Sequence, residues 1–280
     1  MSPSVRGSGP DTAADHTGPA GGLAAGAAPL ADVDRRTPTA RANLAQAAME
    51  VRLLVRSGES LVVTLGIPLG LLAFFSVVDV LPTGDERAVD FLLPGVLAIS
   101  VAATGLVAVA IQTAFERKYG VLKRLGGTPL TRTGFLVAKG LAVGMIVLVQ
   151  FVLAVGLALG ALGWRPAGGW LAAPLLVVLG AVTFTALGLL LAGTLRAEAT
   201  LALSNALFLV LLLVSGVTFA VDPLPGVVAA FGQALPLGAL GTALRAAFAG
   251  EGLAVGPTAV VAAWGAAAIV LSARRFRWEP

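Results

Sequence analysis

Side chains able to carry chemistry are scarce in this sequence. Its one histidine is His16, near the N-terminus, and it has no cysteine. Thiolate nucleophiles, disulfides and cysteine-ligated metals therefore have no residues to use, and the usual proton carrier near neutral pH is missing from the body of the chain. No glycine-rich phosphate loop occurs either, so that route to ATP hydrolysis is closed. What remains is charge, densest in a cationic cluster between Gln112 and Arg132. There Glu116, Arg117, Lys118, Tyr119 and Gly120 precede Val121, Leu122, Lys123, Arg124 and Leu125, and Gly126, Gly127, Thr128 and Pro129 follow. Val121, Leu122 and Leu125 recur at helical spacing among the cations, and the glycine pair and Pro129 stop the turn. The pattern predicts a short helix docked on another surface, and its chemistry is recognition: apolar groups for a cleft, cations for acidic or polar groups at the rim.

The elements that hold this cluster are apolar. Residues 92–111 and 135–162 flank it, each long enough at about 1.5 Å per residue to cross the roughly 30 Å hydrocarbon core of a bilayer. Across the chain 57% of residues are hydrophobic and 12% charged, with a mean hydropathy of +0.92, against a charged fraction near a quarter in soluble domains. The basic balance, pI about 10.3, is spread between the apolar runs rather than gathered on one soluble face. It reads as membrane topology and not as a nucleic-acid surface.

At this point the sequence resembles a known family. Glu116-Arg-Lys-Tyr-Gly120, then Leu122-Lys-Arg-Leu125 and Thr128-Pro129-Leu130, is similar to the signature of ABC-2 type permeases, with the closer likeness to the bacterial drug-efflux branch. The resemblance runs from about Arg41 to the C-terminus. It implies a membrane subunit whose first cytoplasmic loop contacts a separate ATPase, present in two copies. ATP and magnesium would bind that partner and no cofactor this chain. It also implies a second permease subunit, identical or not, and a multi-pass location in a bacterial plasma membrane.

The expected fold class is an all-α polytopic membrane protein with six transmembrane helices, an N-terminal amphipathic interfacial helix and a re-entrant segment before the last span. Residues 1–40, rich in Gly, Ala, Pro, Ser and Thr, read as a disordered cytoplasmic tail without a cleavable signal. Residues 41–60 place Leu44, Ala47, Ala48, Val51, Leu54 and Val55 on one stripe, an amphipathic helix lying at the interface; a solvated lead-in to the first span is the plainer alternative. Spans follow at 61–81, 91–113, 135–162, 171–195, 201–220 and about 253–273, all within a six-span domain over 61–273. The third carries Lys139, placed to snorkel, and the small-residue spacings Gly140/Gly144 and Gly156/Gly160 as packing hints. Trp164 and Trp170 read as interfacial anchors. Residues 226–248 are broken by Pro236 and nearby glycines, so a re-entrant or surface pair of short helices is expected there. With that pair not spanning, residues 274–280 are a basic cytoplasmic C-terminus beside a cytoplasmic N-terminus. Of the nineteen Lys and Arg residues only Arg87, Arg165 and Arg245 then lie outside, leaving sixteen inside, as the positive-inside rule demands.

No Asp, Glu or His stands at mid-span, where ion-coupled carriers keep costly charges for function. Energy for transport must then come from outside the chain. Of the two competing functions this disfavours an ion-coupled secondary carrier; a non-transporting membrane scaffold or immunity protein would have the same hydropathy and stays open. Polar groups inside spans are few: Ser100, Thr104, Gln150, Thr183, Thr185, Ser204 and Asn205. Two readings stay open for each, a hydrogen bond that packs the bundle or a place along a substrate path. By the resemblance, the second and fifth spans would line that path at a dimer interface, favouring Ser100, Thr104, Ser204, Asn205 and Phe208. Arg245 and Glu251, in the outer segment, would gate release or pair with each other. The expected function is efflux of a hydrophobic or amphipathic drug, antibiotic or lipid-like compound, a route to drug resistance.

Overall fold

Long apolar sequences fold as long helices, one of them with Pro94 inside it, and the computed structural model shows them. It describes residues 65–78, 87–121, 132–217 and 226–275. The expected N-terminal tail (1–40), amphipathic helix (41–60), apolar centre of the basic loop (122–131) and basic C-terminal residues after Arg275 lie outside the described residues. Among those described, every regular element is helical. They are α1 Ile67–Val77, α2 Ala88–Lys118, α3 Arg132–Gly160, α4 Ala172–Thr194, α5 Ala197–Val214, α6 Gly226–Ala234, α7 Pro236–Ala246 and α8 Val255–Arg275. Five of these, α2, α3, α4, α5 and α8, are long and apolar enough to cross a membrane.

Helices α2 and α4 form the centre. The most apolar stretch of α2 is 72% buried and that of α4 61%, against 22% for both α5 and α8. The outer helices instead display Leu203, Leu209 and Leu213 on α5 and Val255, Ile269 and Val270 on α8. So much exposed aliphatic surface marks contact with lipid or with a partner chain. Arg87, just before α2, donates to the Gly163 carbonyl beyond the end of α3 at 2.8 Å, and Lys139 near the start of α3 pairs with Glu116 near the end of α2. The two helices are therefore antiparallel, and the bundle has two polar ends.

Close approach at the centre depends on two glycines. A β-carbon at Gly188 of α4 would lie 2.7 Å from the Gly105 carbonyl oxygen, and one at Gly105 would lie 2.8 Å from the Phe184 β-carbon. The crossing falls in the π-helical turn Ala103–Ala108 of α2, where one extra residue per turn shifts the face presented to α4. The glycine pairs expected to pack helices do otherwise: β-carbons at Gly140, Gly144, Gly156 and Gly160 would meet nothing within 4 Å. Small-residue spacing finds candidates for close contact, but burial decides among them.

The stretch 226–248 folds as α6 and α7, broken at Leu235 immediately before Pro236, which opens α7. Leu237, Ala239, Leu240, Ala243 and Leu244 of α7 are fully buried. Trp264 of α8 donates to the Ala234 carbonyl at 2.9 Å, holding the last turn of α6. Trp164, expected at an interface, is 3% exposed and packs edge-on against Phe248 at 4.9 Å. The Ala167 N–H to Phe248 carbonyl bond of 3.1 Å buries it there. Trp170, 64% exposed, keeps the outward position.

Candidate functional site at the foot of α2

The polar interruption expected to begin a loop at Gln112 is helical for two more turns, since nothing between Gln112 and Lys118 breaks the hydrogen-bond ladder. α2 stops where Tyr119 leaves helical geometry and Gly120 turns to φ 72°. A left-handed residue ends a helix most easily as glycine, so the Tyr119-Gly120 pair of the motif is a helix stop. The Gly120 N–H reaches back to the Arg117 carbonyl at 3.0 Å.

Three successive charged residues at this foot are tied to three neighbours. Glu116 accepts from Lys139 of α3 at 3.1 Å and from Gln112, one turn earlier on its own helix, at 2.9 Å. Arg117 is 6% exposed and donates to the Leu195 carbonyl at the end of α4. That carbonyl is free to accept because Leu195 has extended backbone, φ −107° and ψ 162°. Lys118 pairs with Glu198 in the first turn of α5, and its ammonium lies 5.6 Å from the centre of the Phe115 ring. The foot of α2 is thus bound to α3, α4 and α5 at once.

Lys139 does not snorkel. It is 2% exposed, lies 5.8 Å from the centre of the Phe135 ring and is neutralised by Glu116, because a counter-charge across the helix interface is nearer than water. Glu116 pairs across that interface too, rather than within its own loop. Neither Lys139 nor Glu198 was among the sequence-derived site residues. The available signals were a lone cation two turns into an apolar helix and a lone acid in the first turn of α5. Beyond the anchors Tyr119 is 69% exposed and Val121 42%, so an aromatic and an aliphatic group face outward where the loop begins. Leu122, Lys123, Arg124, Leu125, Thr128 and Pro129 lie outside the described residues.

The residues expected along a substrate path fall in two environments. Ser100 is 4% exposed and donates to the Val96 carbonyl of its own helix at 2.7 Å. Thr104 is 7% exposed and accepts from Gln150 of α3 at 3.5 Å. Ser204, fully buried, lies 3.3 Å from the Leu201 carbonyl. Asn205 is exposed on α5 with its amide on the Leu201 carbonyl at 2.8 Å, and Phe208 is half-buried beside it. At the opposite polar end Arg245 donates to the Val217 carbonyl at 3.2 Å and lies over the Phe91 ring at 5.0 Å. Glu251 is exposed in the turn before α8.

No curated protein matches the chain. The family model for the ABC-2 type transporter matches residues 44–249, well over half of the 280 residues, from the expected amphipathic segment to just short of α8. With five apolar helices of membrane-crossing length among the described residues, a cationic helix foot braced against three neighbours and this match, the chain belongs to the ABC-2 type transporter family, as the multi-pass, non-catalytic permease of an ABC-type transporter.

Proposed function

We propose that this permease exports a hydrophobic or amphipathic compound, drug-like, antibiotic or lipid-like, across a bacterial plasma membrane, as the drug-efflux branch of the family does. It works as a pair of permease subunits driven by two copies of a separate ATPase. Six spans, with α1 part of the first and α6–α7 re-entrant, put both termini and the foot of α2 on the cytoplasmic side. One observation carries the reading: Glu116, Arg117 and Lys118 bind the foot of α2 to α3, α4 and α5, so a push on the following loop moves several spans as one body. Such rigid-body motion is what alternating access requires.

In this reading Tyr119, Val121, Leu122 and Leu125 enter a cleft of the ATPase, and Lys123 and Arg124 meet acidic or polar groups at its rim. Gly120, Thr128 and Pro129 set the ends of the loop helix. The substrate path follows α2 and α5, with Asn205 and Phe208 toward the path and Ser100, Thr104 and Ser204 holding the wall behind. The deciding experiment replaces Leu122 and Leu125 by Asp in the permease co-expressed with its ATPase. Loss of co-purification and of transport is expected, with the permease still inserted. Wild-type yield of the complex together with continued transport would reject the docking assignment.

A further inference from the structure

The outer end of α5 is enclosed by a collar of backbone. A β-carbon at Gly232 of α6 would run into the Val214 carbonyl oxygen. One at Gly241 of α7 would lie 2.7 Å from the Val217 side chain, and one at Gly95 of α2 2.7 Å from the Val217 carbonyl oxygen. Three helices come this near because each presents a glycine there. Ser215 and Val217 are accordingly 4% and 1% exposed. Arg245 of α7 completes the ring: its guanidinium donates to the Val217 carbonyl at 3.2 Å and lies over the ring of Phe91, on α2, at 5.0 Å. The outer ends of α2 and α5 therefore meet, fastened by a cation on α7.

The wall of the collar is fixed, and α5 is not. α7 is buried along Leu237, Ala239, Leu240, Ala243 and Leu244, and Trp264 of α8 holds the last residue of α6. By contrast Leu209, Val210 and Leu213, in the two turns of α5 that lead into the collar, are each more than half exposed. α5 has neither Gly nor Pro over Ala197–Val214, so it is a stiff rod of about 27 Å. Its first turn is tied to the foot of α2 by Lys118 and Glu198. The first joint beyond the rod is Gly216, at φ 63°, a conformation that glycine adopts without strain. A displacement at the foot of α2 is thus carried to the collar rather than absorbed on the way. A contact made between backbones at glycines has no side chain to yield, so it is either made or broken.

We infer that residues 215–217 are the outer gate of the export path: Arg245 holds them shut, and a push delivered along α5 draws them out of the collar so that a compound leaves between α2 and α5. The inference rests on the export reading above and deepens it by naming the contact that opposes release. Arg245 grips a main-chain carbonyl, so the side chain at position 217 can be changed without removing the grip.

Because the chain has no cysteine, Val217→Cys reports on the collar directly, its reaction with a maleimide following the fraction of time the segment is out. Glu251→Cys, exposed at the same end, controls for reagent access, and Leu240→Cys, fully buried in the fixed wall, for general loosening. All three are measured in phosphatidylcholine nanodiscs, as permease alone and as the complex with its ATPase, the complex with and without ATP and vanadate. Trapping nucleotide is expected to speed Val217→Cys by about tenfold or more and to leave the two controls unmoved. In the permease alone, Arg245→Met should speed Val217→Cys about tenfold, the loss of one hydrogen bond from a charged donor. Arg245→Lys, which keeps the cation without the planar fork, should fall between. Val217→Cys that stays slow with nucleotide trapped, or that ignores Arg245→Met, would overturn the inference and leave the collar a static brace. Leu240→Cys speeding in step with it would do the same, marking a protein that has only loosened. The Arg245 arm needs no ATPase, so it decides the matter where docking fails, whereas a complex that forms and traps nucleotide with the thiol still shielded fails this inference alone.

Discussion

A lone cation two turns into an apolar helix can reach water or find a counter-charge, and Lys139 takes the second course with Glu116. Removing one partner strands the other, which costs more than removing both. Lys139→Met is therefore expected to destabilise the folded permease by about 1–3 kcal/mol, and Lys139→Met with Glu116→Leu to recover part of that loss. Thermal unfolding of the purified variants reads both. Lys118→Ala should change stability by no more than about 1 kcal/mol, because its pair with Glu198 is solvent-exposed and such pairs contribute little. If Lys139→Met unfolds at the wild-type temperature, the brace is not structural. The charged motif from Glu116 to Gly120 was legible in sequence. The residues that brace them were not, because a single Lys and a single Glu far apart in the chain carry no spacing that links them.

Helix lengths follow from composition and breakers, and residues 92–111 and 135–162 could hardly have folded otherwise. The stops were legible where a specific residue makes them: Gly120 by its positive φ, and Pro236 by the N–H it lacks. The two extra helical turns of α2 past Gln112 were less so, because charged residues at a helix end read as loop until tertiary partners are known. Which glycines lie at crossings was not legible at all. Gly188→Leu should destabilise by about 1–3 kcal/mol or more, since the side chain would enter the backbone of α2 at Gly105 and Leu106. Gly156→Leu should be neutral or slightly stabilising, as its β-carbon meets nothing and Gly is a poor helix former. Equal melting temperatures for the two variants would show that the α2–α4 crossing is looser than described.

For the whole molecule, two expectations follow from how charge is distributed. The chain has no cysteine, so single-cysteine variants give a clean topology map. In sealed cells Glu251→Cys should react with a membrane-impermeant maleimide, and Glu198→Cys only after permeabilisation; the opposite pattern would invert the bundle and place the α2 foot beyond reach of any ATPase. Collapsing the proton gradient while ATP is maintained should leave transport within about twofold of its starting rate, because no span offers a midplane acid to couple it. Transport that stops with the gradient would return the chain to the secondary carriers.

Class, helical content and the position of the charged motif between α2 and α3 were determined by the sequence alone, because hydropathy over a span and the chemistry of Gly, Pro and charge are local properties that survive without neighbours. Contacts between distant segments were left to the tertiary structure. It paired Lys139 with Glu116, turned Arg117 onto Leu195 and buried Trp164 under Phe248. In an apolar bundle nearly every face is equally hydrophobic, so periodicity says little about which face meets which. Shape, backbone approach and the few polar groups decide that only once the helices are packed.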